Sequence, residues 1–240
     1  MFDITDSYAK LFNRFNSKVS DNGEEVLDKE EIQKAKQAGF NLFELKENMT
    51  EDEFFDAYLE CAPLDENSEE AVQFEKKVND IHVKYLQIQY KSNEQIRPDE
   101  SMDAFEHRLS AMNSIKDAKY TDKDRKMFNN AINNPNDVEA VVNANYHFNT
   151  EEPYSPVYNC INDLMEKYQA ALEDFLGSID PSDYDTLQRV LGGGVYSAGK
   201  RADSDIKDAL AVLSKYPESD GSKYAKIWIN RTAEDIKSQQ

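Results

Sequence analysis

The feature that most constrains the fold of this 240-residue chain is a long helical pattern between Ser68 and Ile96. Its apolar residues recur at spacings that alternate between three and four, which places them on one face of an α-helix. They are Ala71, Phe74, Val78, Ile81, Tyr85 and Ile88. Pro98 is expected to end the helix. The face is either a coiled-coil seam or the core-facing side of an ordinary helix, and its short length favours the second interpretation.

Composition extends this helical character to the whole chain. Only 8 Gly and 7 Pro interrupt it, and 39% of its residues are hydrophobic, enough to build a core. We therefore expect an all-α protein with short connections. Further helices are predicted at about 100–118, 121–133, from 136 onwards, from 156 onwards, 182–191, 203–215 and 222–236.

The predicted organisation has three parts. Residues 1–62 form an acidic helical module, residues 63–150 form the first part of a helical bundle, and residues 151–240 form the second part. The last two parts are either separate or a single domain. The segment Phe148–Pro156, FNTEEPYSP, contains two prolines and no apolar period, so it is the candidate boundary between them.

The charge of the chain indicates its partners. The formal net charge is −19. Residues 1–70 contain 7 Lys and Arg and 19 Asp and Glu, so this segment alone has a net charge of −12. Such a charge disfavours binding to nucleic acid phosphates, because that affinity comes from Lys and Arg. Cations and basic proteins are the natural partners. We expect a basic protein partner and no direct nucleic acid binding.

The location is predicted from what the sequence lacks. Cys61 and Cys160 are far apart and form no CxxC pair, which favours a reducing compartment over a disulfide scaffold. The first residues, MFDITDSYAK, have no basic and apolar signal pattern, and no run of 18 apolar residues occurs. We expect a cytoplasmic protein without membrane association. No pattern specifies its oligomeric state.

The stretch Asn16–Glu31, NSKVSDNGEEVLDKEE, has the residue order that a hard cation needs. Oxygen-bearing residues surround Gly23, which permits a sharp turn, and the carboxylate of Glu31 follows on the first turn of a helix. Asp28 and Glu31 also form a capping-box-like pair. The helix before the loop has an apolar face made of Tyr8, Leu11, Phe12 and Phe15.

These residues resemble an EF-hand over about residues 8–54. The standard 12-residue loop would place its glycine at Glu25, whereas a 14-residue loop from Lys18 to Glu31 is similar to the S100-type pseudo EF-hand. The resemblance implies Ca²⁺ binding, with Glu31 as the principal carboxylate and Asp21 and Asp28 in support. It also implies backbone carbonyl ligands, which are those of Lys18, Asp21, Gly23 and Val26. The N-terminal fold would then be an EF-hand-like helix-loop-helix joined to the multi-helix bundle.

A weaker echo of the loop exit follows 22 residues later. The segment Leu27–Ile32, LDKEEI, is matched by Met49–Phe54, MTEDEF, with an apolar residue, a cap and a Glu at the third helical position in each. The echo is either a second loop-helix unit packed against the first or two ordinary N-caps. Because Leu42–Asn48 contains no Gly and few well-spaced oxygens, we assign the echo no metal.

The glycine-rich segment at 192–201 contains GVYSAGK, which matches the P-loop pattern GxxxxGK. Arg201 stands where that loop needs Ser or Thr, and the preceding LQRVL is typical of a helix rather than a strand. We interpret the segment as a flexible connection between helices. Anion binding by Lys200 and Arg201 at a helix start is the alternative.

No catalytic constellation is present in the sequence. His82, His107 and His147 are isolated, and neither cysteine has a nucleophile context. We therefore expect a non-enzymatic binding or adaptor protein, with Ca²⁺ as its candidate modulator. The alternative is a metal-free acidic helical protein that serves as a charge mimic or scaffold for a basic partner.

Overall fold

The computed structural model describes residues 4–20, 23–65 and 67–238. Helices dominate these ranges, which confirms the all-α fold class. They are α1 (Ile4–Phe15), α2 (Lys29–Gln37), α3 (Glu51–Cys61), α4 (Glu69–Gln89), α5 (Met102–Ser114), α6 (Asp122–Asn133), α7 (Val138–Glu151), α8 (Pro156–Ser178), α9 (Pro181–Leu191), α10 (Ala202–Leu213) and α11 (Asp220–Ser238). Two short strands, β1 (Asn16–Val19) and β2 (Glu25–Leu27), form an antiparallel hairpin that was not predicted. None of the described helices is long and apolar enough to cross a membrane.

The chain divides into two compact units, Met1–Leu109 and Ser110–Gln240. Each unit has its own buried apolar residues. The boundaries predicted after residues 62 and 150 fall within these units, and the three-part division stays a prediction. At the predicted connection, α7 continues to Glu151 and Ser155 caps α8 by accepting the Tyr158 N–H at 3.1 Å, so the segment is a tight turn.

Helix α1 is held in the first unit by its aromatic side chains. Leu11, Phe12 and Phe15 are fully buried, which confirms the predicted apolar face. The ring of Phe12 lies 5.5 Å from that of Phe54 in α3, and the ring of Phe15 lies 4.8 Å from that of Tyr85 in α4, measured between centroids. Because aromatic rings bury large apolar areas, these contacts fix α1 against both helices.

Helix α4 faces the same core but ends earlier than predicted. Its residues Val78, Ile81 and Tyr85 are buried among the side chains of the first unit, so the predicted apolar face is the core-facing side of an ordinary helix. The predicted end near Ile96 is wrong, because α4 stops at Gln89.

A backbone motif explains the early stop. Lys91 adopts a left-handed conformation, with φ of 50°. The N–H of Ser92 donates to the Gln87 carbonyl at 2.9 Å, and the N–H of Lys91 donates to the Ile88 carbonyl at 3.2 Å. These two bonds form a Schellman motif, which usually has Gly at the left-handed position. Because Lys occupies this position instead of Gly, the sequence shows no sign of a helix end before Pro98.

In the second unit, the glycine-rich segment connects α9 to α10. It forms two short 3-10 turns, Gly194–Ser197 and Gly199–Arg201. A P-loop follows a buried strand, whereas this segment follows a helix. The observed position agrees with a helix-helix connection, and the anion-binding alternative stays a prediction.

Helices α8 and α11 approach each other closely at Gly221. A Cβ atom at this position would lie 2.1 Å from the carbonyl oxygen of Ala171 and 2.7 Å from the Cβ of Phe175. Because the nearest atom belongs to the helix backbone, it cannot move aside without separating the two helices. Packing therefore requires glycine here.

Gly221→Ala is expected to lower the free energy of unfolding by about 3 kcal/mol, because the added methyl group overpacks a backbone contact. Gly177→Ala in α8 is the matched control, since its Cβ would meet no atom within 4 Å. The control should raise stability by about 1 kcal/mol through helix propensity. Urea denaturation followed by Trp228 fluorescence measures both variants in their own unit. Equal stabilities would contradict the close approach.

His82 is a buried polar side chain of α4. It is 3% exposed, and its Nε2 atom has no hydrogen-bond partner among the described residues. Burial, assisted by the positive charges of Arg14 and Lys10, lowers the pKa of His82 from 6.5 to about 3. The folded protein therefore keeps this imidazole neutral over a pH range in which the unfolded chain protonates it.

This depressed pKa predicts a loss of stability in mild acid. From pH 7 to pH 5, the unfolded state takes up a proton that the folded state does not bind, which lowers the free energy of unfolding by about 2 kcal/mol. The loss begins as the pH falls through the unfolded pKa and grows until the folded pKa is reached. His82→Gln should remove it, whereas His107→Gln, at a half-buried histidine, is the control. Denaturation curves at both pH values measure the effect, and an unchanged slope in His82→Gln would refute this origin.

Candidate functional site

The predicted cation loop forms the β1–β2 hairpin. Lys18 and Val26 are partners in its antiparallel ladder. Ser20 closes the turn, because its N–H donates to the Glu24 carbonyl at 2.8 Å and its carbonyl accepts the Gly23 N–H at 2.9 Å. Gly23 has φ of 84°, a left-handed conformation that glycine adopts at little steric cost. Gly23 thus makes the turn that its place in the sequence predicted.

The loop exit pairs with its echo through the backbone. The N–H of Leu27 donates to the Met49 carbonyl at 3.1 Å, and the N–H of Asn48 donates to the Leu27 carbonyl at 3.0 Å. Asp28 and Thr50 follow as the N-caps of α2 and α3. The structure thus has an N-cap at each position and backbone pairing between the two segments, and the loop-helix interpretation of the echo stays a prediction.

The predicted ligands lie in different surroundings. Lys18, Gly23 and Val26 are together in the hairpin, whereas Asp21 lies outside the described residues. The carboxylate of Asp28 accepts the Glu30 N–H at 2.7 Å, as an N-cap does. In residues 4–20, 23–65 and 67–238, no group of three or more His, Cys, Asp and Glu side chains is arranged to hold a metal ion.

The carboxylate of Glu31 contacts α4 and its own helix. It accepts hydrogen bonds from the Tyr85 hydroxyl and, at 2.6 Å, from Lys34 Nζ. The same hydroxyl lies 2.8 Å from the Arg14 carbonyl oxygen. Burial is the main cause that raises the pKa of Tyr85, and the hydrogen bond to Glu31 is the second cause. The phenol therefore remains protonated and donates a hydrogen bond. Glu31 thus joins the loop exit to the core of the first unit.

A polar cleft of about 470 Å³ opens beside Glu31. Its wall contains two cations, three carboxylates and a phenol, which come from α1, α2, α4 and α5: Lys10, Arg14, Glu31, Asp103, Glu106 and Tyr85. We call it the charged cleft. Charges of both signs in one concave site make it a candidate binding site.

Arg14 is the buried cation of the charged cleft. Its side chain is 9% exposed, and its guanidinium donates from Nη1 to Glu106 and from Nη2 to Asp103, the latter at 2.8 Å. Glu106 is also bound by the Tyr90 hydroxyl at 3.2 Å. The Nε atom of Arg14 has no hydrogen-bond partner in the described part of the chain. The guanidinium is therefore fixed in place with donor capacity unused.

The charged cleft was not predicted from the sequence. Arg14 precedes Asp103 and Glu106 by about 90 positions, so no local spacing connects them. Tyr85 was assigned to the core alone, although its hydroxyl is what brings Glu31 to α4. Comparison with protein-family models, with curated proteins and with solved structures found no match to this chain.

Proposed function

We propose that this chain is a non-enzymatic binding or adaptor protein with an EF-hand-like helix-loop-helix at its N-terminus, modulated by Ca²⁺. The observation that carries the EF-hand-like part is the backbone pairing of Leu27 with Met49 and Asn48. Leu27 matches the apolar residue of the short β-bridge in an EF-hand. Two capped helices that follow paired residues 22 positions apart support a paired loop-helix arrangement.

The proposed ion site lies at the hairpin. Glu31 is its principal carboxylate, Asp21 and Asp28 support it, and the carbonyls of Lys18, Gly23 and Val26 complete it. Oxygen ligands suit Ca²⁺, which accepts flexible geometry. The net charge of −12 over residues 1–70 also attracts divalent cations.

Binding of Ca²⁺ by Glu31 requires its carboxylate to leave Tyr85 and Lys34. The Tyr85 hydroxyl has one hydrogen and a second acceptor, the Arg14 carbonyl oxygen at 2.8 Å. Lys34 has a second partner in Glu30, at 3.5 Å. Moving the Glu31 carboxylate to Ca²⁺ therefore leaves no buried donor unsatisfied, so the free-energy cost of this movement is small. It would change the contact between α2 and α4, and this change is the proposed route of modulation.

The proposed partner is a basic protein, because a net charge of −19 favours association with positive surfaces. Direct binding to nucleic acid is not proposed. We place the protein in the cytoplasm, and the absence of a disulfide between Cys61 and Cys160 supports a reducing compartment.

Millimolar Ca²⁺ is expected to raise the melting temperature of the full chain, because an ion that binds the folded state stabilises it. Glu31→Gln should abolish the shift. Glu25→Gln should retain it, since it removes the same charge from an exposed residue of the same hairpin. Differential scanning calorimetry with and without Ca²⁺ measures all three proteins. If millimolar Ca²⁺ leaves the melting temperature unchanged, the Ca²⁺ part of the proposal is refuted.

The contacts of Asp28 and Glu31 favour a second candidate function. Both carboxylates already accept hydrogen bonds from protein groups. A metal-free acidic helical protein, acting as a charge mimic or scaffold for a basic partner, needs no further ligand there. In this candidate the acidic surface alone provides the affinity.

An oligolysine peptide separates the two candidates. For the metal-free protein, its association should weaken as salt rises, because exposed charges are screened beyond about 8–10 Å at physiological ionic strength. Its affinity should be equal in Ca²⁺ and in EDTA at constant ionic strength. Isothermal titration calorimetry measures both dependences. A Ca²⁺-dependent affinity would refute the metal-free candidate and support modulation.

A further inference from the structure

The charged cleft is a second site, which shares only Glu31 with the proposed ion ligands. Its volume of about 470 Å³ lies within the range of small-molecule sites, roughly 300–1,000 Å³. Its wall belongs to the first unit, Met1–Leu109, and its charged groups come from three helices. A ligand there would contact four charged side chains that the Ca²⁺ proposal does not use, together with Glu31, which it does use.

The burial of Arg14 needs a reason other than stability. A buried ion pair contributes little net stability, because each charge loses its hydration. Arg14 is nevertheless 9% exposed and held by two carboxylates, with its Nε unpartnered in the described chain. The Nε atom is itself buried, but Nη1 and Nη2 each carry a second N–H that can donate to an anionic group, and a carboxylate is the matching acceptor. Lys10 provides a second positive charge on the same wall.

The carboxylates beside Arg14 are suited to bind cations. Asp103 and Glu106 lie three positions apart on α5, which places them on the same side of that helix. Their side chains are 66% and 29% exposed, so both carboxylates remain accessible beside Arg14. The lining of the cleft holds two cations and three carboxylates, a net charge of −1. This balance favours a ligand that carries a carboxylate and a net positive charge.

We propose that the charged cleft binds a free basic α-amino acid, such as L-arginine or L-lysine. Its carboxylate lies against Lys10 and Arg14, and its cationic groups lie against Asp103, Glu106 and Glu31. Each contact joins opposite charges through N–H donors and carboxylate oxygens, which gives charge-assisted hydrogen bonds. The cleft is complete without Ca²⁺, so binding in EDTA tests it separately from the proposed function, although Glu31 belongs to both sites.

Isothermal titration calorimetry of the full chain in EDTA tests the ligand class. L-arginine and L-lysine are expected to bind saturably. Agmatine lacks the carboxylate and L-norleucine lacks the side-chain cation, so each should bind at least about tenfold more weakly than its basic counterpart. The absence of saturable binding by L-arginine and L-lysine would overturn the proposal. Equal affinity for agmatine or L-norleucine would overturn the assignment to basic amino acids.

Variants test the location of the site. Glu106→Gln and Lys10→Ala should each weaken L-arginine binding at least about tenfold, through loss of a charge-assisted contact. Asp103→Asn, at an exposed side chain, provides the test if Glu106→Gln disturbs folding. Asp80→Asn is the matched control, because Asp80 is exposed on α4 and pairs with Lys76 at 2.9 Å outside the cleft. Wild-type affinity in Lys10→Ala and Asp103→Asn would refute the site.

Discussion

The first unit depends on the two hydrogen-bonding contacts of the Tyr85 hydroxyl. A hydrogen-bond acceptor stabilises a buried phenol, because an unsatisfied one costs about 1–3 kcal/mol. Tyr85 is 1% exposed and has two acceptors, the Arg14 carbonyl in α1 and the Glu31 carboxylate in α2. Its ring packs on Phe15 at the same time. One side chain of α4 thereby fixes the ends of two other helices, and with them the loop exit and the wall of the charged cleft.

Much of the fold follows from local patterns in the sequence. The apolar faces of α1 and α4 were predicted because helical periodicity directly reports burial. The caps Asp28 and Thr50 were predicted because a side chain that bonds the first turn acts over three residues. The end of α4 was missed because Lys91 occupies a left-handed position without the usual glycine. Local sequence thus predicts the helix faces and the N-caps, because interactions between residues close in sequence determine them.

The candidate sites depend on contacts that sequence spacing does not encode. The hairpin was missed because its strands have three and four residues and no alternating pattern, and pairing of the loop exit with Met49 stabilises its second strand. Glu31 was predicted as a ligand from its place on the first turn of α2. Its contact with Tyr85, 54 positions away, could not be predicted, because tertiary packing alone brings α4 beside α2. The charged cleft was missed for the same reason.

Glu31 is shared by the proposed ion site and the charged cleft, which makes the two proposals thermodynamically linked. If Ca²⁺ draws the Glu31 carboxylate to the hairpin, the wall of the cleft changes from a net charge of −1 to neutral. A basic amino acid in the cleft would then bind more weakly, and by reciprocity its binding would oppose that of Ca²⁺ to the same extent. Because a single carboxylate carries the exchange, the coupling is expected to be about 1–3 kcal/mol. Tyr85 permits this exchange, since its hydroxyl keeps the Arg14 carbonyl as an acceptor in both states.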